Sequence, residues 1–168
     1  SDTSIGDALN AAINAAPYPH AVAAGPNVVF ARDALLRLSR PFLLDRSVAC
    51  ASGILRPVSG AELRDGKITL RRGRGWVDGC QTIEFLRNFV YLRLGWNRVA
   101  SNIVVPSNPV MFKREHIFGM GGFDATVEVP AVDIAMRMAR YLTDNGINAM
   151  MPVIPDPVAW FVVSGDLT

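Results

Sequence analysis

The sequence predicts an α/β domain of three layers, with helices flanking a mixed sheet. Three observations carry this. Short apolar runs at 20–24, 47–55 and 103–105 alternate with stretches of helical period, the order that produces layered α/β architecture. The first run breaks sharply at Ala24-Gly25-Pro26-Asn27. A strand followed by a turn and then a helix is where α/β folds place their ligands. Half of the 168 residues are hydrophobic, enough to bury one sizeable core, so 1–168 reads as a single domain. Ser1 opens abruptly in polar residues that feed straight into a helix, which suggests a fragment of a longer protein.

The elements follow in order. Ser4 and Asp7 have the S-x-x-D spacing of a capping box, and Ile5, Leu9, Ile13 and Ala16 recur at helical period, giving a helix over 4–16 that Pro17 and Pro19 stop. Residues 20–24 form a short strand with side chains small enough to be covered on both faces. After the turn, Val28, Val29 and Phe30 return to extended form. Asp33 caps a helix running to Ser39 with Leu35, Leu36 and Leu38 inward; Pro41 ends it, and Phe42 and Leu43 pack behind. A core strand around Cys50 spans 47–55, and the polar excursion 57–75 contains a strand at 67–70 and the basic run Arg71-Arg72-Gly73-Arg74.

The strongest helical pattern runs over 82–94, with Ile83, Leu86, Phe89 and Val90 as its stripe and Gly95 as its stop. A strand at 103–105 meets the stiff loop Pro106-Ser107-Asn108-Pro109; an extended segment at 110–112 and one or two helical turns at 113–118 follow. Gly119 to Asp124 is a glycine-rich tight turn that matches no phosphate-loop spacing. Pro130 opens a helix lined by Val132, Ala135, Met136, Ala139 and Leu142, which Asn145-Gly146 closes. Two final strands are expected at 147–154 and 158–163.

The net charge of +2 is too small to argue for nucleic acid, which needs a clustered basic face. Cys50 and Cys80 make no disulfide framework or metal spacing and point to a reducing compartment. No apolar run reaches the ~20 residues of a membrane span. His20 reads as a structural histidine, His116 as an exposed turn residue, and Cys50 as a small inert hydrophobe. Cys80 has no basic partner that would make it a thiolate. Trp76, Trp96 and Trp160 are candidates for stacking on sugar rings, though core or rim packing is the plainer reading.

Three stretches carry a resemblance. Asp7-Ala8-Leu9-Asn10 precedes a strand, a turn, Asp33-Ala34-Leu35 and Arg40-Pro41-Phe42. Glu84-Phe85-Leu86-Arg87 leads to Leu94-Gly95-Trp96. Phe112-Lys113-Arg114-Glu115 is followed by Gly121-Gly122-Phe123-Asp124, a helix holding Arg137, and Asn145-Gly146. In this order they resemble the central and C-terminal parts of a family-2 glycosyltransferase of the GT-A fold, across roughly 4–163, with the N-terminal nucleotide-binding strands missing. The resemblance implies sugar transfer from a nucleotide-sugar donor. A D-x-D motif would hold Mg²⁺ or Mn²⁺ on the diphosphate, and a carboxylate of an E-D motif would deprotonate the acceptor hydroxyl.

Against that pattern the chemical positions depart. The D-x-D slot falls on Gly25, Pro26 and Asn27, and no Asp or Glu lies between Asp7 and Asp33. The E-D slot falls on Pro130 and Ala131; Glu128 is the nearest substitute, while Asp133 is expected on the solvent side of its helix. The acceptor loop would contain Ser107 and Asn108 in place of a small Ser-Gly pair. The leading expectation is a degenerate, inactive domain without cofactor, serving as a scaffold, regulatory or ligand-binding module in a larger protein. Its partner would be an upstream or separate domain that completes the fold, in the cytoplasm or at the inner face of a bacterial membrane. Two alternatives stay open. One is an active enzyme whose donor-binding half lies outside this chain, using Mg or Mn and a nucleotide-sugar. The other is a membrane-surface module built on 82–98 and Arg71 to Arg74.

Overall fold

A computed structural model describes residues 4–25, 27–58, 60–64, 67–71, 76–85, 87, 109–127, 130–148 and 150–162. Helix α1 (Ile5–Ala15) begins as the sequence predicts, with Ser4 Oγ accepting from the Gly6 and Asp7 N–H groups. Strands β1 (His20–Ala23) and β2 (Val28–Phe30) flank the turn, and α2 (Ala34–Leu44) follows. Next come β3 (Cys50–Val58), the hairpin β4 (Gly60–Arg64) and β5 (Lys67–Arg71), and α3 (Trp76–Phe85). Then β6 (Val110–Lys113), α4 (Arg114–Gly119), α5 (Pro130–Asp144) and β7 (Val153–Val162) complete the described elements.

A mixed five-stranded sheet runs β1-β6-β3-β7-β2, with β3 and β7 parallel and the other pairs antiparallel. Strand alternation splits the core in two. Cys50, Val110 and Phe112 point to one face, where Ile13 of α1, Ile117 of α4 and Ile134, Met138 and Leu142 of α5 pack. Ala51, Leu55 and Met111 point to the other, under Ala34 and Leu38 of α2, with Phe85 of α3 against them. These are the three layers expected. Chain reversal after α5 is also as expected: Gly146 takes φ 68° while the Ile147 N–H reaches back to the Leu142 carbonyl at 2.8 Å.

Several local expectations are corrected. Pro41 lies inside α2, because a proline removes one N–H bond while the chain resumes with the Asp45 N–H donating to the Pro41 carbonyl at 2.9 Å. The inward residues of α2 are Ala34 and Leu38, four apart; Leu35, Leu36 and Leu43 face solvent. Asp33 sits at the N-cap without capping, its carboxylate turned to Arg37. On α5, Met136 is exposed, and Ile134 and Met138 fill the core instead. Strand β1 is half-buried because it lies at a sheet edge.

The final strands are one, β7, which carries Pro155 and Pro157 through irregular register opposite Gly53 to Leu55. The segment expected to extend from 147 contributes only a bridge, Val48 to Met150, ahead of it. Helix α3 starts at Trp76 and leaves Ile83 exposed; the remainder of the predicted 82–94 helix, apart from Arg87, and the predicted strand at 103–105 lie outside the described residues. Strand β4 is an element that the sequence reading did not include.

Candidate functional site

The turn predicted to hold ligands sits at one end of the sheet. Ala23, the last residue of β1, is the register partner of Val110, and Val110 in turn pairs with Ser52 of β3. The Gly53 N–H donates to the Pro109 carbonyl at 3.1 Å, tying the entry of β6 to the same end. Gly25 is half-buried and Asn27 is an exposed turn residue just ahead of β2. Pro130 and Ala131 open α5. Ala23, two residues before Gly25, and Ile134, four after Pro130, pack against one core cluster, so both slots hang from a common support. Pro26, Ser107, Asn108 and Glu128 lie outside the described residues.

Among the described residues no three His, Cys, Asp or Glu side chains gather as a metal site would require. Asn27 offers one neutral oxygen and no charge, and Gly25 has only backbone. A site for Mg²⁺ or Mn²⁺ needs carboxylates beside phosphate oxygens, so these residues do not fit a cation. Three described acids near these positions in the sequence already have partners. Asp33 bonds Arg37 at 2.8 Å, and Arg37 also donates to the Pro157 carbonyl at 3.0 Å. Asp124 accepts from the Thr126 N–H and hydroxyl at 2.8 and 2.7 Å, which hold its carboxyl below the usual range. Asp133, expected to face solvent, is half-buried and accepts from Arg137 Nε at 2.7 Å.

The glycine turn that precedes α5 in the chain is tightly built. Arg137 Nη2 donates to the Gly122 carbonyl at 2.7 Å, and Nη1 reaches the Met120 carbonyl at 3.3 Å. Asn10 closes the turn from the other side: its Nδ2 donates to the Phe123 carbonyl at 2.8 Å and its Oδ1 accepts from the Phe123 N–H at 2.7 Å. Gly122 has φ 83°, and a Cβ there would stand 2.6 Å from Asn10 Oδ1, so glycine is required twice over. The sequence reading placed Asn10 within a motif without assigning it a role. Its spacing, four after buried Gly6 and three before buried Ile13, puts an amide on the inward stripe of α1, where a polar group needs a partner.

Trp160 pairs with Val29, two residues after Asn27. Cys50 is buried and its thiol is pushed up to about 12 by burial, while Cys80 is exposed. His116, expected on an exposed turn, is half-buried on α4, and desolvation lowers its pKa. His20 is exposed at the start of β1, edge-on to Phe42 with ring centroids 4.8 Å apart. A cavity of about 360 Å³ lies between Pro19, His20, Lys113, Arg114, Glu115 and Phe118, at the opposite end of β1 from Gly25. Its cations are already engaged: Lys113 Nζ donates to the Arg46 carbonyl at 2.6 Å, and Arg114 to those of Ile13 and Asn14 at 2.9 and 3.2 Å. Trp76 is exposed and Trp160 half-buried; Trp96 lies outside the described residues. No helix of the described residues is long and apolar enough to cross a membrane.

No protein-family model and no curated protein sequence matches the chain. Among solved structures it is similar to a mannosyltransferase from Pyrobaculum calidifontis, determined in complex with GDP-Man and Mn²⁺. The similarity has a TM-score of 0.62 at 20% sequence identity and covers 96% of this chain. The chain spans 37% of that protein's length. The fold is glycosyltransferase-like: a mixed α/β sheet with flanking helices.

Proposed function

We propose that the chain is the later portion of a family-2 glycosyltransferase fold that has lost metal-dependent transfer and serves as a scaffold, regulatory or ligand-binding module in a larger protein. The supporting observation is the contrast at the slots. Gly25, Pro26 and Asn27, with Pro130 and Ala131, offer neither a charged metal ligand nor a proton acceptor, while Asn10 and Arg137 still hold the backbone of the Met120–Phe123 turn. Leaving-group charge on a diphosphate needs an offsetting cation, and a sugar hydroxyl needs a base to become a competent nucleophile. Neither requirement is met by a neutral amide or an alanine methyl.

A second reading is an active enzyme whose donor-binding half lies outside these residues. It draws on the neighbour's complex with GDP-Man and Mn²⁺ and on the 37% share of that chain. Calorimetric titration of the full-length protein with Mn²⁺ and GDP separates the two. The proposed function predicts that Mn²⁺ leaves any GDP affinity unchanged. A saturable GDP affinity that requires Mn²⁺ and is weakened by Asn27→Ala would sink it in favour of the active enzyme.

A further inference from the structure

The cavity at the start of β1 is built by side chains that reach into both helical layers. His20 and Lys113 are register partners on the end rung of the β1–β6 ladder, and next to them the Arg114 N–H donates to the Pro19 carbonyl at 2.9 Å. Lys113 turns towards α2, its Nζ bonded at 2.6 Å to the carbonyl of Arg46, which follows that helix. Arg114 turns the other way, to the carbonyls of Ile13 and Asn14 in the last turn of α1. Two half-buried cations are thus anchored to opposite layers at one end of the sheet, and both line the cavity of about 360 Å³.

These bonds fix the cations without cancelling them. Their acceptors are backbone carbonyls, which carry no full charge. Lys113 spends one donor on them and Arg114 two, which leaves N–H groups on each. Among the described residues neither cation has a carboxylate within ion-pair distance. Asp45 is held low first by its hydrogen bonds from Ser47, with the Lys113 charge a lesser cause. Glu115 is the one carboxylate of the lining; it is exposed, 3.9 Å from His116 Nε2. The other walls are the His20 ring and two apolar surfaces, Pro19 and Phe118, whose ring centroid lies 4.7 Å from the Arg114 guanidinium.

We infer that this cavity binds a small molecule made of an apolar body and one oxyanion head, a carboxylate or a phosphate. Oxyanions accept charge-assisted hydrogen bonds from ammonium and guanidinium groups, and side chains already held in place lose little freedom on binding. The volume lies at the low end for small-molecule sites, which suits a single ring or a short chain. A bare ion would leave Pro19 and Phe118 facing water, so the apolar body is part of the fit. The site lies at the opposite end of β1 from Gly25, and the loss of transfer activity does not enter the inference.

Calorimetric titration of the full-length protein with phenyl phosphate and with benzoate, the two heads on the same ring, tests it. At least one of them is expected to bind saturably with EDTA present. Benzyl alcohol, a neutral counterpart, is expected to bind at least about tenfold more weakly. Lys113→Met removes a charge and keeps an apolar stem; it should weaken the oxyanion probe about tenfold and leave benzyl alcohol unchanged. Arg114→Gln should act likewise, but Arg114 also anchors α1, so Lys113→Met decides if that variant does not fold. Absence of saturable binding by both oxyanion probes would overturn the inference, and so would an affinity that Lys113→Met leaves intact. No metal takes part here, so a GDP affinity that requires Mn²⁺ would sink the proposed function and leave this inference standing.

Discussion

Asn10 is one of two side chains that hold the glycine turn. Its amide satisfies both backbone groups of Phe123, and Asn10→Ala leaves them half-buried without partners. The expected cost is about 2 kcal/mol in urea unfolding, and Gly122→Ala is expected to cost at least as much because φ 83° and the Asn10 contact both oppose it. At His116, burial depresses the folded pKa below the reference value of 6.5. Stability from its neutral form is complete above that value and is lost as pH falls through the folded pKa. His116→Gln should remove that decline on the acid side of 6.5 in paired urea titrations. Residue identity alone left His116 looking exposed, since the burial comes from α4 lying against the sheet and a single histidine carries no sign of that.

Helix α2 shows where pattern reading stops. Leu35, Leu36, Leu38, Leu43 and Leu44 outnumber the buried positions of α2, so leucine identity alone does not say which of them pack. Tertiary packing chooses Ala34 and Leu38. Leu38→Ala is therefore expected to cost about 3 kcal/mol, and Leu36→Ala to stay within about 0.5 kcal/mol, in the same unfolding assay. Equal effects would mean that the helix is rotated. Elements with polar punctuation were legible: Ser4 and Asn145-Gly146 mark helix ends that the hydrogen bonds reproduce. Strand β7 was not, because Pro155 and Pro157 interrupt the pattern of a strand whose pairing with β3 tolerates irregular register. Asp133 was misplaced for a related reason, since its side of α5 is decided by the Arg137 anchor.

At the scale of the molecule, the three layers were legible because short apolar runs and amphipathic helices alternate through most of the chain. The slots remain a proposal, assigned by counting from neighbouring motifs; what the structure adds is that β1 ends at Ala23, level with Val110 and Ser52. An intact scaffold around uncharged slots is the central claim, and sugar transfer tests it most directly. The full-length protein, assayed with a panel of nucleotide-sugars and acceptors in the presence of Mn²⁺ or Mg²⁺, is predicted to transfer no sugar above the protein-free rate. Turnover that requires the metal and disappears in Asn27→Ala would contradict the account.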